Sequence, residues 1–206
     1  MDILWAHLIM PITKNLIEIF IDHVMNAINY GLDTLNNDNL KSSKLFSALK
    51  TQGQQSDVIK SEQLPVLDLL PKAIQTASSG PPYVKELVWS LMPILPKLQW
   101  YKRLGDYPAN FMQGHANAFI IGQKGLEKRG DVTVGITLVA PSLQYPDHSH
   151  PPEEIYIVLS DGGWRQGKGS WNSPGLGDLV YNPGNITHSM RASSNPLLAV
   201  WCLWSD

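Results

Sequence analysis

The chain has 206 residues with a formal net charge of -2 and 17% charged side chains, so it lacks the basic stripe that nucleic acid or an anionic membrane surface would call for. A hydrophobic content of 43% fits a globular protein, with length for one good-sized domain or for a barrel with a substantial appendage. The single cysteine, Cys202, excludes an intramolecular disulfide and sits in the apolar run PLLAVWCLW, which suits a small buried residue in a reducing cytoplasm.

In chain order, residues 3–25 are apolar enough to raise the question of a signal peptide, but Asp2 stands where a positive n-region belongs. Lys14, Glu18, Asp22 and His23 interrupt the run of about 20 apolar residues that membrane crossing needs. The expectation is a cytoplasmic chain with no membrane partner. Leu16, Ile19, Phe20, Val24 and Ile28 predict an amphipathic helix over 13–30, with Gly31 as its stop. Residues 36–43 read as a connection, 45–50 as a short helix, and TQGQQSD as a flexible loop or lid. Further helices are predicted over 64–77 and 83–95, separated by SSGPP, with Pro93 and Pro96 ending the second.

After Tyr107 the period changes. DVTVGITLVAP, EEIYIVLS, GDLVYNPG and PLLAVWCLW read as strands bounded by glycine, proline and asparagine. The expected division is a helical N-terminal region over 1–106 packing on a β-barrel over 107–206. Ile155, Ile157 and Leu159, the outward positions, are as apolar as the inward ones, so the helical region or a second subunit must cover that sheet face.

The stretch YPDHSHPPEEIYIVLS carries the chemistry. Side chains two apart on an extended chain share a face, so an extended path through Pro151 and Pro152 puts His148, His150, Glu154 and Tyr156 together and turns Glu153 to solvent. Imidazole and carboxylate converging in this way suit a first-row divalent metal ion: zinc, iron, manganese, cobalt or nickel. A neighbouring ligand is expected from GDLVYNPGNITHSM, where a Pro183-Gly184 turn returns the chain into a strand opened by His188.

H-x-H-x3-E followed by G-x5-P and a third histidine resembles the two metal-binding motifs of the cupin superfamily, over roughly residues 107–206. Two departures are visible: the glycine expected soon after the first motif is displaced to Gly162 or Gly163, and the second motif has Pro-Gly where Pro-x-Gly is common. The resemblance implies a mainly β fold, a double-stranded β-helix (jelly-roll-like) cupin barrel with an α-helical N-terminal extension. Tyr145 with DHSHPPEEIYIVLS and YNPGNITHSM, behind a helical segment, more narrowly resembles the cupin-type, DddQ-like dimethylsulfoniopropionate lyases. Those enzymes cleave dimethylsulfoniopropionate to dimethyl sulfide and acrylate. The resemblance implies His150, Glu154 and His188 on the metal, His148 as a further ligand or close neighbour, Tyr156 as catalytic base, and Tyr145 as a second tyrosine of the pocket.

The chemistry agrees with that assignment. Sulfonium is already a good leaving group, so loss of the α proton is the difficult step, eased by a Lewis acid at the carboxylate. Tyrosine, with an ordinary pKa of about 10, needs a nearby cation to act as base. An aromatic face suits the sulfonium, with Trp164, Trp171, Trp201, Trp204, Tyr145 and Tyr181 as candidates. Dimerisation is a reasonable expectation for cupins. An iron-dependent cupin dioxygenase and a small-molecule-binding cupin are the rival readings, although no DNA-binding helix-turn-helix is recognisable.

Overall fold

The strand-forming half folds into antiparallel sheets that face each other. In the computed structural model, which describes residues 14–35, 44–56 and 63–204, eleven strands alternate with helices drawn mostly from the N-terminal half. The N-terminal stretch before residue 14, much of the segment weighed as a signal peptide, and the connection over 36–43 lie outside the described residues.

The strands in chain order are β1 (Gln54–Gln55), β2 (Trp100–Tyr101), β3 (His115–Ile121), β4 (Glu127–Lys128), β5 (Val132–Val139), β6 (Gln144–His148), β7 (Glu153–Val158), β8 (Gly162–Gln166), β9 (Leu179–Asn182), β10 (His188–Ala192) and β11 (Leu197–Trp204). The large sheet runs β1-β4-β3-β5-β11-β7-β9, with β2 also on β3. The small sheet runs β6-β10-β8. Strands β5, β7 and β11 are buried on both faces, which is why VTVGITLV and LLAVWCLW read as near-continuous apolar runs.

One face of the large sheet packs on helices. There Ile155, Ile157, Leu159, Val200 and Cys202 share a core with Phe20, Val24, Leu87 and Leu91. The helical half therefore covers the apolar sheet face, as the sequence requires. The opposite face meets the small sheet, where Tyr156, Val158 and Trp201 pack with Tyr145, Trp164 and Met190. The result is a double-sheeted cupin barrel with an α-helical N-terminal extension.

Helix α1 (Lys14–Leu35) buries Ile17, Phe20, Ile21, Val24, Ala27, Ile28 and Leu32; of the predicted stripe, Phe20, Val24 and Ile28 are buried, whereas Leu16 and Ile19 are only half-buried because the apolar face is centred toward Ile17 and Ile21. The helix does not stop at Gly31. A Cβ at that position would lie 2.4 Å from Leu179 Cγ, so the glycine lets the helix approach β9 closely. Helix α2 (Leu45–Leu49) follows expectation, but the described part of the adjacent TQGQQSD, residues 51–56, is not a free loop: Gln54 and Gln55 pair with Lys128 and Glu127 as β1.

The predicted helix over 64–77 is broken. A 3-10 turn (Pro65–Leu69) precedes helix α3 (Leu70–Ala77), because Pro71 supplies no N–H to a continuous helix and suits a helix start. Helix α4 (Pro82–Leu91) ends before Pro93, and α5 (Ala109–Gln113) leads into β3. Among the described residues no helix is long and apolar enough to cross a membrane.

Candidate functional site

His148 and His150 do not share a strand with Glu154 and Tyr156. Strand β6 of the small sheet ends at His148, the chain crosses over Pro151 and Pro152, and Glu153 opens β7 in the large sheet. The continuous extended path expected from sequence is replaced by a crossover, and the residues meet because the two sheets face each other. Asn185, at φ 64, donates its N–H to the His150 carbonyl oxygen at 2.8 Å. A Cβ on Gly184 would fall 2.4 Å from the Pro151 carbonyl oxygen. The Pro-Gly-Asn turn thus packs on the crossover and brings β10, with His188, against it.

Each histidine is oriented by its own backbone. The Nδ1 atoms of His148, His150 and His188 lie 2.8, 2.9 and 3.0 Å from the carbonyl oxygens of Pro146, Pro152 and Ile186. A carbonyl only accepts, so each Nδ1 carries the proton and each Nε2 keeps its lone pair for a ligand. Glu154 Oε2 lies 3.4 Å from His150 Nε2 and 3.0 Å from His188 Nε2. One ligand atom from each of these residues falls within 4.8 Å of the others.

These donors fit a divalent metal ion. His188 Nε2 is buried with no aligned hydrogen-bond partner, facing a carboxylate across 3.0 Å, and a cation satisfies both. Burial pushes the Glu154 carboxyl up, but the imidazoles of His150 and His188 more than offset this and hold it at about 2. Asn182 Nδ2 donates to Glu154 Oε2 at 3.0 Å, and Gln166 Nε2 donates to Asn182 Oδ1 at 2.9 Å. The carboxylate is thereby held in one orientation.

His148 stands beside this cluster. Its ring centroid is 4.1 Å from that of His188 and 6.3 Å from that of His150. Burial and the neighbouring His188 push its pKa down to about 4, so it stays neutral.

Tyr156 and Tyr145 face the same space from opposite sheets. Burial and the Glu154 carboxylate push the Tyr156 phenol well above its ordinary value. The Tyr145 hydroxyl accepts from Asn117 Nδ2 at 3.2 Å, in a chain that continues through Thr137 Oγ1, 2.6 Å from Asn117 Oδ1, to Trp201 Nε1, 3.0 Å from Thr137 Oγ1. Both tyrosines line a cavity of about 150 Å³ with His148, His150, Glu154 and Trp201.

The other aromatic candidates separate clearly. Trp164 is buried between the sheets, with its ring 6.5 Å from that of Tyr156. Trp204 and Tyr181 pack on the helical side of the large sheet. Trp171 lies between the guanidinium groups of Arg165 and Arg191, at 4.9 and 4.4 Å, and does not line the cavity. Glu153 is only half-exposed, since the Tyr181 hydroxyl donates to it.

The sequence reading passed over Arg103, Asn117, Thr137 and Asn182. Asn117 and Thr137 were detectable as polar residues inside the apolar runs HANAFII and VTVGITLV. Arg103 follows β2 outside any motif and carried no signal.

Comparison with known proteins places this geometry. The sequence profile of the dimethylsulfoniopropionate lyases matches residues 37–199. The curated dimethylsulfoniopropionate lyase DddQ of Ruegeria pomeroyi is 32% identical over 105 residues, 50% of this chain and 49% of the relative. The chain spans about half the length of the curated relatives it matches. A crystal structure from work on the DMSP lyases RdDddP and RnDddQII superposes with a TM-score of 0.70 at 17% identity, covering 94% of each chain. That of DMSP lyase DddQ from R. pomeroyi gives 0.62 at 22% identity, covering 88% of this chain and 92% of the other, and both likenesses speak to the fold. With most of its length matched by the profile, the chain belongs to the dimethylsulfoniopropionate lyase family.

Proposed function

We propose that this protein is a metal-dependent carbon-sulfur lyase that cleaves dimethylsulfoniopropionate to dimethyl sulfide and acrylate by β-elimination. The observation that carries the reading is the His150, Glu154 and His188 cluster, of which His150 and Glu154 line one cavity with Tyr156, in a chain of this family. His150, Glu154 and His188 would hold the ion, with His148 as close neighbour or further ligand. A divalent ion there supplies a Lewis acid for the substrate carboxylate and stabilises the charge that develops as the α proton leaves.

Tyr156 Oη takes that proton. The Cα–H electron pair becomes the new carbon-carbon π bond, the Cβ–S bond breaks, and the sulfur departs as neutral sulfide. Burial and Glu154 oppose the phenolate, so the base role depends on positive charge in the adjacent cluster. The ring of Trp201 offers the sulfonium a face, a cation-π attraction of roughly 0.5–2 kcal/mol.

Headspace gas chromatography of metal-loaded protein mixed with dimethylsulfoniopropionate tests the reading. Dimethyl sulfide should appear with wild type and fall by about 10²-fold or more in Tyr156→Phe at equal metal content. Release at the wild-type rate from Tyr156→Phe would remove the base; none from wild type would remove the lyase.

A further inference from the structure

The cavity contains a second cationic group that the chemistry above does not use. Arg103 lines it with Tyr145, His150 and Glu154, on the loop that follows β2. Its backbone N–H donates to His115 Nε2 at 2.8 Å. His115 is itself fixed: its Nδ1 lies 2.5 Å from the Phe111 carbonyl oxygen, and its ring stacks on Phe111 with centroids 3.8 Å apart. Arg103 Nε donates to the Tyr107 hydroxyl at 3.0 Å, and its guanidinium carbon stands 5.9 Å from the centre of the Tyr145 ring.

No carboxylate pairs with Arg103 among the described residues, whereas Arg129 pairs with Glu127 and Arg165 with Asp147. A half-buried guanidinium held at its backbone and at Nε, beside the Tyr145 hydroxyl and paired with no carboxylate among the described residues, keeps N–H groups for whatever enters the cavity. That arrangement suits a small carboxylate, which a guanidinium binds through paired, charge-assisted hydrogen bonds.

We infer that Arg103 is a specificity-determining residue that binds the substrate carboxylate together with the ion the cluster would hold, and so helps to set which way round a zwitterion lies in the cavity. The substrate identity rests on the lyase reading; the carboxylate preference does not. A zwitterion with carboxylate and sulfonium at opposite ends is drawn to Arg103 by one end and repelled by the other. The sulfonium is left to the wall formed by Phe119, Met190 and Trp201. A substrate lacking the carboxylate gains nothing from Arg103.

The test separates the two charges. Metal-loaded wild type, Arg103→Met and Arg103→Lys, each with metal content and melting temperature measured, are titrated calorimetrically with propionate and with trimethylsulfonium, and KM and kcat are taken with dimethylsulfoniopropionate. Arg103→Met should weaken propionate by roughly tenfold or more, with Arg103→Lys between it and wild type. Trimethylsulfonium should bind no more weakly than to wild type, and KM should rise more than kcat falls.

Unchanged propionate affinity in Arg103→Met, equal loss of both ligands, or no propionate binding by wild type overturns the inference. The lyase reading fails separately. If wild type releases no dimethyl sulfide while propionate binding still depends on Arg103, the carboxylate anchor stands without the lyase. If release is normal and propionate is indifferent to Arg103, the anchor alone falls.

Discussion

Fixing an imidazole by its own backbone makes each histidine of the cluster a local device. The Nδ1 partners of His148 and His188 sit two residues before them and that of His150 two residues after, so no distant element is needed to orient a ring. Glu154 is the exception, because its orientation depends on Asn182, its cross-strand neighbour on β9. His150→Ala, Glu154→Ala and His188→Ala should each deplete the metal while leaving the fold intact, and His148→Ala should deplete it least, as read by elemental analysis and circular dichroism. Asn182→Ala should keep every ligand yet lower metal affinity by about 10-fold or more. Full affinity in Asn182→Ala would show that Glu154 is held by the cluster itself.

Between strands, the floor of the cavity depends on one glycine. Gly135 of β5 lies opposite Trp201 of β11, and a Cβ there would sit 2.2 Å from Trp201 Cζ2. The indole therefore lies across the strand, its Nε1–H reaching Thr137 and its ring edge-on to Phe119 at 5.7 Å. Gly135→Ala should cost about 1–3 kcal/mol by overpacking and shift the tryptophan emission; unchanged stability and emission would show that the ring moves freely. Such strand contacts mark what the sequence could not disclose. The His150, Glu154 and His188 cluster was legible because H-x-H-x3-E and the Pro-Gly turn are local patterns, and the β-rich half because apolar runs broken by turn residues need no partner to be read. The crossing between sheets at Pro151 and Pro152 was not, since alternation puts the same residues on one face whether or not the chain changes sheet. Gly31 carried the right signal for the wrong event, a close helix-strand approach in place of a helix end. The strands β1 and β2 have two residues each and no period to detect.

Across the whole molecule, the helical half and the barrel share one apolar core, so neither face of the large sheet is free. A buried polar clamp joins them as well. Arg129, just beyond β4, pairs through Nε with Glu127 Oε1 at 2.6 Å, both side chains being almost fully buried. Its Nη1 donates to the carbonyl oxygens of Ala48 and Leu49 at 3.0 and 3.2 Å at the end of α2, where the Ala48 carbonyl also accepts from the Thr51 N–H and hydroxyl. Glu127 Oε1 in turn accepts the Gly53 N–H at 2.8 Å, which fixes the approach of β1 to the sheet edge. Arg129→Met leaves the Glu127 carboxylate buried with no cation and removes the side-chain donor to Leu49, a loss of about 3–5 kcal/mol. For a chain of this size that lowers the melting temperature by on the order of 10 °C, measurable by calorimetry. The double variant Glu127→Leu/Arg129→Met should recover part of the loss, because it removes the stranded charge as well as its partner. The His150, Glu154 and His188 cluster is built from β7, β10 and the crossover and shares no hydrogen bond with this clamp among the described residues, so metal content per folded molecule should not change in either variant. An Arg129→Met protein as stable as wild type would mean that the shared apolar core alone holds the two halves together.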